Sequence, residues 1–332
     1  MAGVRTPMKQ YASCVLVDVA DSLPSIFSSD TAIGYYTAQR AGIGINMGRI
    51  RGINSRIRGG EVAHTGVVPF LKKFEATVKS CTQNGVRGGC ATVHFPIWHK
   101  EIEDVIVLKN NKGSEDNRVR KLDYSIQLSK LFYERFINNE DMTLFSPHET
   151  PGLYDAFGTP EFDELYKKFE KDTKIYRKKV STQKMFMDLL KERAETGRIY
   201  IMNIDHANSH SSFKDKVNMS NLCQEITLPT DPIEHIDGDG EIALCILSAI
   251  NVGLLKNLDE LESLCDLSVR ALEEIIDHQK YPVRAAEIST KARRSLGIGY
   301  IGLAHYLAKK GFNYDQKMAW KEVDKLTEAF QY

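Results

Sequence analysis

Short apolar runs alternate with longer amphipathic stretches along most of this chain, and this alternation limits the possible folds more than any other feature. Such short runs are typical of buried strands, whereas apolar residues at every third or fourth position are typical of helices. Strands alternating with helices predict an α/β fold with a largely parallel sheet. We predict strands at 12–18, within 40–51, and at 92–97, 141–146, 198–204 and 241–247. We predict helices at 23–40, 64–79, 100–108, 122–138, 161–196 with a break near 172–181, 257–278, 286–310 and 316–331.

Composition excludes several classes of protein. The 332 residues carry a formal net charge of +0, without the basic excess that is typical of nucleic-acid-binding proteins. No run of about 18 apolar residues occurs, which predicts no membrane span, and the first residues lack an apolar signal core. The six cysteines and nine histidines show neither a CxxC motif nor metal-ligand spacing. We therefore expect a cytoplasmic protein without a metal site. We also expect residues 1–332 to form one domain.

Asn221, Cys223 and Glu225 alternate within the stretch Ser220–Thr230. If this stretch is extended, its period of two places all three side chains on one face. An amide can hold a hydroxyl, a carboxylate can take its proton, and a thiol can do radical or nucleophilic chemistry. A cysteine is nevertheless often only a small core residue, and spacing alone leaves both interpretations open.

Two further cysteines lie in apolar runs that predict buried strands. Cys14 lies in the run Ser13–Val17, and Cys245 lies in Ile242–Leu247. By their local sequence alone, both are more typical of structural residues than of reactive ones.

Glycines mark three segments where a ligand or another part of the backbone can come close. Gly42 and Gly44 occupy alternate positions of an apolar strand, which is typical of close approach by a ligand or a backbone. Residues 48–61 and 81–90 form loops rich in glycine and arginine. The loop at 48–61 suits a polyphosphate, because arginine and bare backbone N–H groups bind phosphate oxygens, but a solvated connection fits equally well. The three glycines in the short loop at 81–90 predict a mobile segment.

Two motifs carry a resemblance to a known family. Asn-Leu-Cys-x-Glu-Ile-x-Leu-Pro at 221–229 and Glu-Ile-Ala-Leu-Cys-x-Leu-Ser-Ala-x-Asn at 241–251 resemble the active-site signature of the large subunit of class I ribonucleotide reductase. The similarity runs from about Arg5 to the end of the chain. It implies part of a ten-stranded α/β barrel: the first half-barrel, the finger loop with Cys223, and the start of the second half. It also implies an internal fragment, without the N-terminal regulatory region and the C-terminal part.

The resemblance implies a role for each motif residue in reducing a ribonucleoside diphosphate. Cys223 corresponds to the cysteine whose thiyl radical takes the 3′-hydrogen of the ribose, Glu225 to the base for the 3′-hydroxyl proton, and Asn221 to the amide that holds the hydroxyls. Cys14 and Cys245 correspond to the pair that supplies two electrons and closes a disulfide, which requires them to lie on neighbouring strands. Ser13 and Gly42 correspond to residues that line the substrate pocket.

The same resemblance implies effectors and partners. A deoxynucleoside triphosphate or ATP would bind at Asp21, Ser22, Leu23, Arg51, Ile57 and Arg58, and Gln83 and Arg87 would relay the effector's identity. The expected partners are a metal-containing small subunit that supplies the radical, thioredoxin or glutaredoxin as reductant, complementary large-subunit fragments, and a second copy in a homodimer. Two alternatives remain: a nucleotide-binding module that is inactive without complementary chains, and a plain thiol–disulfide oxidoreductase, which the lack of CxxC disfavours.

Overall fold

The computed structural model describes residues 9–82 and 88–332, and these form two compact units. The larger unit comprises Cys14–Leu244 and Tyr281–Ser289. The smaller unit comprises the described residues up to Ser13, with Cys245–Lys280 and Thr290–Tyr332. The expectation of one domain across residues 1–332 stays a prediction.

The larger unit contains the first nine strands and the first eight helices that we number. Its strands are β1 Cys14–Asp18, β2 Gly42–Asn46, β3 Arg56–Ile57, β4 Val62–Ala63, β5 Ala91–Pro96, β6 Asp123–Leu128, β7 Asp141–Leu144, β8 Lys178–Ser181 and β9 Ile199–Asn203. Its helices are α1 Leu23–Ala38, α2 Val68–Ser80, α3 Ile102–Val107, α4 Lys130–Ile137, α5 Leu153–Ala156, α6 Phe162–Lys171, α7 Thr182–Thr196 and α8 Ile204–Ser209.

Five of these strands form a parallel sheet in the order β1-β2-β5-β6-β9. Every residue of β1, β2, β5 and β6 is buried, as expected for parallel strands covered on both faces. Since strands and helices alternate along the chain, the connections between parallel neighbours run through helices. The predicted α/β class with a parallel sheet is therefore confirmed.

The prediction of one helix over 122–138 is wrong. The structure forms strand β6 over Asp123–Leu128 and helix α4 over Lys130–Ile137, separated by Ser129. Leu122, Tyr124, Ile126 and Leu128 alternate, and this period of two specifies a strand once β5 and β9 are available as neighbours.

The prediction of one helix over 286–310 is also wrong. Helix α10 (Arg284–Arg293) is followed by strand β11 (Leu296–Ile301) and helix α11 (Leu303–Lys309). Gly297 and Gly299 explain the difference, because each interior glycine disfavours a helix by about 1 kcal/mol relative to alanine. The predicted break near 172–181 is confirmed, but it also holds strand β8, which pairs antiparallel with β7.

Strand β10 (Ala243–Asn251) belongs to the smaller unit from Cys245 onward and pairs there parallel with β11, in register from Ile246 opposite Leu296 to Asn251 opposite Ile301. Helices α9 (Glu260–His278), α11 and α12 (Lys317–Gln331) also belong to it. Ile246 packs with Leu272 and Ile276 of α9, which covers one face of the pair.

Within residues 9–82 and 88–332, no helix combines the length and the apolar character that crossing a membrane requires.

Candidate active site

The finger loop, defined here as residues 218–230, turns at its centre instead of running extended. Leu222 and Cys223 form a turn, and the Gln224 N–H donates to the Asn221 carbonyl oxygen at 3.3 Å. Gln224 takes a left-handed φ of 62°, which reverses the chain direction. The alternation of Asn221, Cys223 and Glu225 therefore does not place them on one strand face. Asn221 is fully buried, whereas Cys223 and Glu225 are exposed.

The Asn221 amide connects the turn to strand β1. Its Nδ2 donates to the Cys14 sulfur at 3.2 Å, and its Oδ1 accepts from the backbone N–H groups of Glu225 and Ile226, both at 3.1 Å. The structure thus brings three of the predicted site residues together around one buried side chain. Because amide donors stabilise electron density on sulfur, this arrangement suits a cysteine that reacts through its sulfur.

Cys223 and Glu225 share their surroundings with Tyr200 of β9. Burial raises the pKa of Tyr200, and the nearby acidic groups of Cys223 and Glu225 raise it further. A thiol and a carboxylate thus lie on the exposed side of the turn beside a phenol that stays protonated. The Cys223 sulfur can thus exchange a hydrogen atom, and the Glu225 carboxylate can exchange a proton.

Residues of three strands of the parallel sheet form hydrogen bonds to the turn. The Thr92 hydroxyl of β5 donates to the Leu222 carbonyl oxygen at 2.6 Å. Gln224 accepts from the Ser125 hydroxyl of β6 at 2.7 Å and donates to the Ile201 carbonyl oxygen of β9 at 2.8 Å. These bonds hold the residues on both sides of Cys223, Leu222 through its backbone and Gln224 through its side chain.

Gly44 of β2 allows the finger loop to lie directly on the sheet. A Cβ atom at this position would overlap the Ser220 carbonyl oxygen and lie 3.0 Å from the Asn221 Cα atom. The expectation that a glycine in this strand marks the approach of another backbone is therefore confirmed at Gly44.

His94 of β5 is a neutral group beneath the finger loop. Burial lowers its pKa to about 3, although the nearby backbone of Ser220 and Asn221 opposes this shift. The ring is therefore uncharged beneath Ser220 and Asn221. His94 thus serves a different segment from His99, because His99 contacts the Ile50 carbonyl oxygen instead.

A second polar cluster holds the base of the finger loop at the carboxyl ends of β1 and β2. Asp18 accepts from the side-chain amides of Asn46 at 2.6 Å and Asn218 at 3.3 Å, and Gln127 donates to the Asn218 carbonyl oxygen at 2.7 Å. Burial raises the pKa of Asp18, while the neighbouring Arg49 guanidinium opposes the rise. The loop is thus anchored both at its base and at its tip.

The two predicted reductant cysteines are both buried. Cys14 opens β1 and lies opposite Gly42 of β2 in the parallel register, so these two predicted site residues are neighbours. Cys245 lies in β10, near Gly297 of β11. Ser13 is partly exposed. The pairing of Cys14 with Cys245, and the substrate-lining roles of Ser13 and Gly42, stay predictions.

Two of the predicted effector residues form an ion pair. The Arg51 Nε atom lies 2.7 Å from Asp21 Oδ2, and the Arg51 backbone N–H donates to Asp21 Oδ1 at 3.1 Å. Ser22 caps helix α1 by accepting from the Ser25 N–H at 3.1 Å, and its hydroxyl donates to Glu234 at 2.6 Å. The exposed Leu23 begins α1.

The other predicted effector residues lie on the hairpin formed by β3 and β4. Ile57 pairs with Val62, and Arg58 follows with a left-handed φ of 50° and an exposed side chain. Arg51 reaches this hairpin by donating to the Arg56 carbonyl oxygen at 3.0 Å. Gln83 and Arg87 lie outside the described residues.

Several residues of this site were not singled out from the sequence. Thr92, Ser125 and Gln224 act through hydrogen bonds between elements far apart in the chain, and no local pattern marks them. Polar residues inside otherwise apolar strands were the available signal, because a buried polar group requires a partner.

Comparisons with known proteins place this geometry in a family. The family model described as ribonucleotide reductase, barrel domain, matches residues 12–332, which confirms the expected family and barrel fold. Proteins named ribonucleoside-diphosphate reductase subunit alpha from Haemophilus influenzae and Enterobacteria phage T4 are 55% and 45% identical over 100% of this chain. Ribonucleoside-diphosphate reductase 1 subunit alpha from Escherichia coli is 54% identical over the same extent. The chain covers 44–45% of the length of these three relatives.

Proposed function

Because the chain belongs to the ribonucleotide reductase family through its barrel domain, we propose that it carries the finger-loop chemistry that reduces ribonucleoside diphosphates. The products would be 2′-deoxyribonucleoside diphosphates for DNA synthesis. The named relatives are ribonucleoside-diphosphate reductase alpha subunits of more than twice this length. We therefore propose that turnover requires further large-subunit parts in addition to this chain.

The arrangement around Asn221 is the observation that supports this function most strongly. One buried amide bonds to the sulfur of Cys14 and to the backbone of Glu225, and the turn between them presents Cys223. A purely structural cysteine would be buried with apolar neighbours, whereas Cys223 is exposed at the tip of a turn held by three strands.

The first half of the proposed reaction takes place at Cys223 and Glu225. The radical generator of a small-subunit partner would supply the one-electron oxidation that turns the Cys223 thiol into a thiyl radical. Cys223 then takes the hydrogen atom from C3′ of the ribose, and Glu225 takes the proton of the 3′-hydroxyl. This proton transfer raises the electron density at C3′ and favours cleavage of the neighbouring C2′–O bond.

The second half uses the two buried cysteines. The 2′-hydroxyl leaves as water with a proton from one thiol, and Cys14 and Cys245 supply two electrons as their disulfide forms. Cys223 returns its hydrogen atom to C3′ and becomes a thiyl radical again. The net reaction converts a diphosphate and a dithiol into a deoxynucleoside diphosphate, a disulfide and water. A thioredoxin or glutaredoxin would then reduce the disulfide.

We also propose an effector site for a deoxynucleoside triphosphate or ATP around Asp21 and Arg51. Arg51 and the exposed Arg58 offer guanidinium groups to phosphates, and the capped N-terminus of α1 begins beside Asp21. Assembly as a homodimer belongs to the same proposal.

A second candidate function is a nucleotide-binding module that turns nothing over without complementary chains. The share of the relatives' length that this chain covers favours this candidate. It differs from the first proposal in one respect: the chain would bind nucleotides, but no set of partner chains would restore reduction.

The test is a ribonucleoside diphosphate reduction assay with this chain alone and then with candidate partner chains, including a radical-generating subunit. We expect product only in the assembled mixture, and none with Cys223→Ser, because a serine O–H bond is too strong for the same exchange. Cys265→Ser is a matched control on helix α9, and we expect it to retain activity. Normal turnover by Cys223→Ser would refute the radical role. Nucleotide binding without turnover in every mixture would favour the second candidate.

A further inference from the structure

The effector loop, defined here as residues 50–67, has little regular structure to hold its shape. Its β3–β4 hairpin consists of two residue pairs, and Asn54 and Arg58 both have left-handed φ values. Arg51, Ile57 and Arg58, which we propose to bind the effector, all lie on this loop. A short hairpin of this kind is marginally stable by itself, so its conformation depends on contacts from outside the loop.

Glu101 supplies such a contact at both ends of the effector loop. Its Oε2 accepts from the Ile53 N–H at 2.8 Å, and Oε1 and Oε2 accept from the Val67 N–H at 3.1 and 3.3 Å. The residue is only 4% exposed. One buried carboxylate thus closes the loop by binding the backbone on either side of the hairpin.

The surroundings of Glu101 provide N–H donors and space for its carboxylate. Burial raises the pKa of Glu101, and the N–H groups of Val67 and Ile53 oppose that rise by stabilising the charged form. Gly66 has a left-handed φ of 93°, and a Cβ there would lie 2.5 Å from Glu101 Oε1. Glycine is therefore required at this position both for its backbone conformation and for the space that the carboxylate occupies.

His99 holds the start of the same loop. The Glu101 N–H donates to His99 Nδ1 at 3.1 Å, so Nδ1 is the acceptor and Nε2 carries the proton. That Nε2–H donates to the Ile50 carbonyl oxygen at 2.8 Å. Burial lowers the pKa of His99 to about 4, which keeps the ring neutral and this tautomer in place.

We propose that Glu101 is a positioning residue that sets the conformation in which the effector loop receives a nucleoside triphosphate. The inference rests on the proposed effector role of Arg51 and Arg58, and it adds a residue that does not touch the ligand. Its physical basis is that the N–H groups of Ile53 and Val67 lose a charged acceptor with two oxygens when the carboxylate becomes an amide with one. The loop then relaxes and presents its guanidinium groups at other positions.

The test compares Glu101→Gln with Glu103→Gln in the 332-residue chain, using deoxythymidine triphosphate as the probe. Glu103 lies in the first turn of α3, the helix that Glu101 directly precedes, pairs with Lys178, and makes no bond to the effector loop in the described residues. Glu101→Gln should weaken probe affinity at least about tenfold, the factor expected when a hydrogen bond to a charged group is lost. Glu103→Gln should leave the affinity within about twofold, as expected for an exposed ion pair.

Hydrogen exchange provides a second readout that does not depend on the probe. In Glu101→Gln the amides of Ile53 and Val67 should exchange at least about tenfold faster, while those of β5 keep their protection. Affinity for a ribonucleoside diphosphate should remain that of the wild type. A general loss of protection across β5 would instead indicate a structural role and overturn the proposal.

The remaining outcomes are also decisive. Unchanged probe affinity in Glu101→Gln, in a chain whose wild type binds the probe, would overturn the inference. If the wild-type chain binds no deoxynucleoside triphosphate, the effector proposal fails, and exchange alone decides the role of Glu101. Unchanged protection at Ile53 and Val67 would then overturn that role as well.

Discussion

Replacing Gly44 by alanine should displace the finger loop from the sheet. The new Cβ would overlap the Ser220 carbonyl oxygen and approach Asn221 Cα to 3.0 Å and Met219 Cε to 3.1 Å. The methionine side chain can rotate away, but the two other atoms belong to the backbone. Relief therefore requires β2 or the finger loop to move.

The size of this movement follows from ordinary packing distances. Carbon atoms in contact lie about 3.5–4.0 Å apart, so the approach to Asn221 alone requires a shift of about 0.5–1 Å. Overpacking a well-packed interior typically costs about 1–3 kcal/mol of unfolding free energy. A displacement of about 1 Å at a reactive group can lower the rate about 100-fold. Gly44→Ala should therefore lose activity more severely than it loses stability.

Urea unfolding measures the stability change, and the reduction assay in the assembled mixture measures the activity change. Gly299→Ala is the matched control, because Gly299 also lies inside a strand but has no neighbouring atom within 4 Å of its ideal Cβ position. We expect the control to keep wild-type stability and turnover. If Gly44→Ala behaves like this control, the finger loop does not rest on β2 as described.

Substitutions at three further positions test other parts of the structure. Asn221→Ala removes the acceptor of two backbone N–H groups and should lower the unfolding free energy by about 2 kcal/mol or more. Asn221→Asp keeps an acceptor oxygen and should lose less. Equal losses of the two variants in urea unfolding would contradict this role of the Asn221 oxygen. Glu225→Gln should slow reduction at least about 100-fold while diphosphate affinity stays within a few-fold, because the amide keeps the shape without the base; an unchanged rate would exclude Glu225 as the base. The pKa of His99 is about 4 in the folded state and lies below its ordinary value of 6.5. Between these two pH values the folded state therefore binds fewer protons than the unfolded state. The contribution of neutral His99 to the unfolding free energy should therefore be fully present above pH 6.5 and should be lost as the pH falls toward 4. In urea midpoints measured against pH, His99→Gln should flatten this dependence.

Most of the fold could be predicted from local patterns. Apolar runs correctly predicted β1 and β5, because a strand buried on both faces requires little beyond its own composition, and they also predicted β7 and β9. The patterns failed at β6 and β11, where a strand directly precedes a helix. In these stretches the two-residue period of the strand runs into the 3.6-residue period of the helix, and the sequence does not show where one ends. In such stretches the neighbouring strands decide the conformation, and a local pattern contains no information about them.

The site was less predictable than the fold. The motif predicted Asn221, Cys223 and Glu225 as a functional set, but the condition for a shared strand face is not met, because Gln224 turns the chain. The alternating glycines predicted a close backbone approach, which Gly44 confirms. Hydrogen bonds between distant segments, such as that from Thr92 to Leu222, leave no local signal.

The most direct test of the central claim is a single turnover without external reductant. The fully reduced chain, assembled with its partners, is mixed with excess ribonucleoside diphosphate, and product and disulfide-linked peptides are quantified in the same sample. We expect one Cys14–Cys245 disulfide for each deoxynucleoside diphosphate formed, and no product when Cys223 is serine. Product formed while Cys14 and Cys245 both remain thiols would contradict the account.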